Sequence, residues 1–105
     1  MMSIFAAAID ALFADPHMAQ DALWRAGGGG GGVAIRVMRR ATDDTASFNG
    51  GRFVVDTVLF DLRVSEAPEL AAGDTLEVAG EVFEIAGEPV RDRERFVWQA
   101  EARAA

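Results

Sequence analysis

One hundred and five residues, half of them apolar, leave room for a single domain with one modest core. The net charge is −7, every cation is an arginine and cysteine is absent. Those facts argue against a chain that grips a polyanion over its whole surface. They also exclude lysine-based phosphate or Schiff-base chemistry, disulfides and thiolate metal sites.

With one histidine and no tyrosine, chemistry is left to carboxylates, a few hydroxyls and arginine. The start Met1-Met2-Ser3-Ile4 lacks the basic region and cleavage pattern of a secretory leader, and Asp10 interrupts the first apolar stretch. No apolar run nears the roughly 18 residues that a membrane span requires. A cytoplasmic origin is expected.

In chain order, Phe5, Ile9, Leu12 and Phe13 recur at helical spacing over residues 3–14, with Ser3 as the cap and Pro16 as the stop. Asp15-Pro16 predicts a second short helix over residues 16–24. Helices this short are marginal alone, so their apolar stripe must dock on something.

Six glycines follow at 27–32. Ordering them costs about 1–2 kcal/mol each, roughly 6–12 kcal/mol together, which rivals the stability of a whole domain. A flexible tether is expected. The run contains G-x-G-x-x-G but lies between a helix and a strand, the reverse of the order a dinucleotide loop needs. The expected division is therefore a helical arm over 1–26, a linker over 27–32 and a β-domain over 33–105.

Within that β-domain, Val33, Ile35 and Val37 alternate with Arg36 over residues 33–40, the pattern of a half-buried strand. Residues 41–51 are polar and turn-rich, with Phe48 as the one large apolar side chain. Over 53–64, Val54, Val58, Phe60, Leu62 and Val64 share one parity, while Phe53, Val55 and Leu59 take the other. A central or bulged strand is predicted there. Gly73-Asp74 turns into a strand over 75–78, another spans 82–85, and Phe96, Trp98 and Ala100 line one face of a closing strand over 95–102. Five strands with close-spaced turns predict a mainly β fold, a small antiparallel barrel or sandwich carrying an N-terminal helical arm.

Candidate sites are sparse. His17 has no second imidazole or thiolate with which to hold a metal. The acidic pairs Asp43/Asp44, Glu66/Glu69 and Glu81/Glu84 lack surroundings that would bury one member and raise its pKa. Arg91-Asp-Arg-Glu-Arg95 alternates in sign, so that on a strand Arg91, Arg93 and Arg95 share one face. Such a stripe suits either a solvated edge or bidentate pairing with a neighbouring subunit. Arg36, Arg39 and Arg40 form a small basic patch without interleaved aromatics. The residues expected to meet a partner are Ile4, Phe5, Ile9, Leu12, Phe13, Phe48, Arg91, Arg93 and Arg95. No cofactor, metal or catalytic residue is expected.

The helical arm, the first strand, the polar loop, then Leu59-Phe60 with Arg63 and Glu66 ahead of Gly73-Asp-Thr-Leu76, and Phe83 and Ile85 beyond, form a pattern over most of the chain. It resembles the small head–tail joining (head-completion) proteins of tailed phages, in particular the lambda-like group. The arginine-only, alanine-rich composition suits a GC-rich alphaproteobacterial phage, prophage or prophage-like cluster.

The resemblance implies a virion protein of the head–tail connector, assembled in the host cytoplasm as a homo-oligomeric ring, commonly a hexamer. The ring would lie beneath the portal and adaptor and above the tail terminator, closing the DNA-filled head and offering the tail its attachment surface. DNA would pass through the lumen without specific binding. It also implies that the arm and the polar loop gain order on assembly. The hexaglycine has no counterpart in that pattern. Two alternatives stay open: within the same resemblance, another small connector component such as an adaptor or tail terminator, and, from the residues, a cellular β-barrel binding module.

Overall fold

Alternation of inward apolar and outward polar side chains sets the architecture. The computed structural model describes residues 4–40 and 57–105. Helix α1 (Ile4–Ala14) leads into β1 (Gln20–Arg25) and β2 (Val33–Arg40). Then come β3 (Thr57–Arg63), β4 (Thr75–Val78), β5 (Glu81–Ile85), β6 (Val90–Arg91) and β7 (Val97–Ala104).

All pairings are antiparallel. The order β1–β2–β3–β7–β5–β4 returns to β1 and closes a six-stranded barrel. The two-residue β6 adds to β7 beside Trp98 and Gln99. Closure leaves no long open edge, which removes the pairing hazard of a flat sheet.

Register places the inward side chains in rows. Leu62 lies across from Val37 on one side and from Trp98 on the other. Phe60 lies across from Ala100, and Leu76 across from Phe83 and Trp24. Phe60 and Phe83 meet edge-to-face at 5.2 Å between centroids. Ala100 and Ala102 are fully buried and leave room for these rings. At one mouth Arg39, on the inward row of β2, sets its guanidinium 5.2 Å from the Phe83 ring. The other mouth is closed by the segment between β3 and β4, where Ala67 and Leu70 are buried and the Ala67 carbonyl accepts from Trp98 Nε1 at 2.7 Å.

The helix predicted over 16–24 is replaced by β1. Asp15 makes a single turn, its carboxylate accepting from the His17 N–H at 2.8 Å and its carbonyl from the Ala19 N–H at 2.9 Å. Beyond it, Ala22 faces the core and Trp24 packs on its rim while Asp21 stays exposed, a period of two. Helical propensity in a six-residue segment is outweighed by pairing on both edges. The barrel thus begins at Gln20 and has one more closing strand than the five predicted, besides the short β6.

The six glycines do not separate an arm from a barrel but connect β1 to β2. Gly27, Gly28, Gly30 and Gly32 hold φ between 64° and 89°, where glycine carries no steric penalty. The Gly27 N–H donates to Asp74 Oδ1 at 2.8 Å, and Arg25 Nε to the Gly30 carbonyl at 3.2 Å. The loop is therefore pinned at its start and spanned from one flank, and these bonds offset part of the entropy lost on ordering it. Among the described residues no helix is long and apolar enough to cross a membrane.

Candidate functional site

Two arginines fasten the C-terminal half of α1 to the barrel wall. Arg36 on β2 donates through Nε to the Phe13 carbonyl at 2.9 Å and through Nη2 to the Ala19 carbonyl at 3.1 Å, and pairs through Nη1 with Asp21 at 2.9 Å. Its own backbone N–H donates to Glu66 Oε1 at 3.0 Å. Arg63 at the end of β3 pairs with Asp10 at 2.9 Å and Glu66 at 3.0 Å, and its guanidinium lies 5.3 Å from the Phe13 ring. Burial works against the Arg63 charge, but the hydrogen bonds it donates to Asp10 and Glu66, and their negative charge, hold its pKa above the ordinary arginine value. Its Nε is buried without a hydrogen-bond partner among the described residues.

The N-terminal half of the helix is presented differently. Ile4 is 84% exposed and Phe5 is also exposed, as is Leu12 on the outer face of the C-terminal half. Ile9 is half-buried where the helix leans over the end of β3. There a groove of about 320 Å³ runs between Ala6, Ile9 and Asp10 on one side and Val64, Phe96 and Arg95 on the other. The groove is largely apolar, with cations at its edge.

Arg91, Arg93 and Arg95 do not form the strand stripe expected of them. Only Arg91 lies in a strand, β6, with its guanidinium 5.3 Å from the Trp98 ring. The next residues turn back into β7. Asp92 Oδ1 accepts from the Phe96 and Val97 N–H groups at 2.8 and 3.2 Å, and the Asp92 carbonyl accepts from the Arg95 N–H at 3.0 Å. This carboxylate binds its own backbone, as Asp does in turns, and so takes Asp92 out of the alternating pattern. Arg95 closes the turn at φ 63°, in the left-handed region. Among the described residues none of the three arginines has an ion-pair partner, and all are exposed.

Of the residues expected to meet a partner, the structure thus gathers Ile9 and Arg95 around one groove, with Arg93 in the same turn as Arg95 and Arg91 on β6 ahead of it. Phe13 is corrected: only 1% exposed, it fixes the helix to the barrel and has no surface left to offer. Phe48 lies outside the described residues. His17 is exposed and only its backbone is engaged. No three of His, Asp and Glu gather around a common point among the described residues.

Sequence reading missed the roles of Arg36, Arg63 and Asp74. Asp74, read only as half of a turn, is buried and accepts from Trp24 Nε1 at 2.8 Å, from the Ala71 N–H at 2.9 Å and from the Gly27 N–H. A lone Asp after Gly signals a turn. Partners 47 and 50 residues away leave no local mark.

Comparison with known proteins adds the family. No curated protein matches the chain. The solution structure of protein SF1141 from Shigella flexneri 2a is similar over 84% of this chain and 93% of its own, with a TM-score of 0.63 at 16% identity, a likeness of fold. The family described as Phage Head-Tail Attachment protein matches residues 1–102. A closed barrel with its helix clasped at one end, matched over nearly its whole length by that family, belongs to the phage head–tail attachment proteins.

Proposed function

We propose that this protein completes the phage head: several copies form a ring under the portal complex, close the DNA-filled head and present the surface on which the tail docks. The family supplies the connector role. The observation that carries the finer reading is the end of the barrel where exposed Ile4 and Leu12 lie on a helix that Arg36 and Arg63 fasten through its C-terminal half, beside an apolar groove lined by Arg95, which has no ion-pair partner among the described residues. Such an end suits docking, since an amphipathic helix with an uncovered stripe gains most from a neighbour that covers it.

The action is mechanical and non-enzymatic. Of the two buried carboxylates among the described residues, Asp74 accepts three hydrogen bonds and Asp61 is tied to Arg40 at 2.7 Å, so both serve the fold. A net charge of −7 suits a collar through which DNA slides without sticking.

Particles assembled without this protein are expected to be filled heads and separate tails in negative-stain images. Normal infectious particles from the same deletion would overturn the reading. A ring with sixfold symmetry at the joint is the expected arrangement by electron cryomicroscopy.

A further inference from the structure

The strained arginine and the groove beside it point to the occupant of that groove. Arg95 sits at φ 63°, where a side chain costs about 1–2 kcal/mol relative to glycine. That conformation places it at the edge of the groove, opposite Ile9. The turn needs a left-handed residue there and glycine would serve it best. An arginine at that position adds a cation to a largely apolar cleft whose other guanidinium, Arg63, is already engaged by Asp10 and Glu66. The chemistry so presented fits an apolar side chain flanked by carboxylates.

The chain itself carries such a surface elsewhere. On β5, Val82 is 38% exposed and points outward, with exposed Glu84 on the same face and exposed Glu81 just before it. Neither glutamate has an ion-pair partner among the described residues. The β4–β5 turn that carries this patch lies at the end of the barrel reached by the C-terminus of β7, whereas Arg95 precedes the start of β7. The two patches are therefore separated along the molecule and cannot meet within one copy. A contact between them joins unlike surfaces of two copies, the kind of interface that closes into a ring when the rotation permits.

We propose that Val82 of one copy enters the groove between α1 and the β6–β7 turn of the next, with Glu84 facing Arg95. The inference rests on the ring reading above and specifies its interface. An acidic segment of a head or tail protein in the groove is the competing outcome.

Three variants test it in assembled particles. Arg95→Glu and Glu84→Arg are each expected to lower the yield of infectious particles by roughly tenfold or more, as reversal of a close interfacial charge pair does. The double variant, in which every copy carries both halves, is expected to recover most of that loss. Failure of the double variant to recover overturns the proposal.

Because the chain has no cysteine, the pair Ile9→Cys with Val82→Cys adds a direct readout. Mild oxidation of particles carrying both is expected to yield a ladder of disulfide-linked copies, and either change alone none. A ring visible in micrographs but no ladder overturns the interface and spares the ring; a single copy at the joint removes the ring as well. Arg95→Gly separates contact from fold: the isolated barrel is expected to melt higher while particle yield falls. An unchanged yield would make Arg95 a turn residue only and overturn the proposal.

Discussion

Asp74 does at one position what an ordinary turn residue does not. Its two oxygens hold the indole of Trp24, the N–H of Ala71 and the N–H of Gly27, so one carboxylate ties β1, the glycine loop and the β3–β4 connection together. Asp74→Ala would remove the acceptor of three part-buried hydrogen bonds, and the expected loss is about 1–3 kcal/mol, read as a lower urea midpoint. Ala79 is the opposite case. It begins the two-residue turn between β4 and β5 at φ 53°, followed by Gly80 at 82°, a conformation that favours Asn-Gly. Ala79→Asn is expected to stabilise the barrel by about 0.5–1 kcal/mol with an unchanged denaturant slope.

Among the elements, α1 is the one whose attachment is separable from the rest. Its C-terminal half is linked to the barrel through the Phe13 side chain and carbonyl and through Asp10, all met by Arg36 and Arg63. The strands, in contrast, are each paired along both edges in the closed barrel, β6 aside. Removing the guanidinium with Arg36→Met keeps the apolar stem but deletes the bonds to the Phe13 and Ala19 carbonyls and the pair with Asp21. Amide hydrogen exchange is then expected to accelerate through α1 while β3 and β7, paired over seven positions, keep their protection. Equal acceleration in both would mean that helix and barrel open as one unit.

For the molecule as a whole, charge and closure matter together. A net charge of −7 opposes phosphates over the molecule as a whole, and Arg25, Arg36, Arg40 and Arg63 are tied to its own carboxylates. Duplex DNA at ~0.1 M salt is expected to show no binding by fluorescence anisotropy at micromolar protein. Micromolar affinity would contradict a collar through which DNA passes freely.

Reading of the sequence alone reached the mainly β class, the shared faces of Phe60 with Leu62 and of Trp98 with Ala100, and the helix at the front, because periodicity is a local property that burial on one face writes directly into the chain. It did not reach β1, whose six residues form a strand only because β2 and β4 flank them, nor the fixed path of the glycines, which depends on Asp74 nearly fifty residues away. The arginine stripe failed for a related reason: Asp92 folds onto its own backbone and makes a turn of what alternation made a strand. Pattern thus decided which side chains face inward, while contacts between distant segments decided which strands exist and which end of the barrel gathers its groove and its arginines, since such contacts leave no period in the sequence.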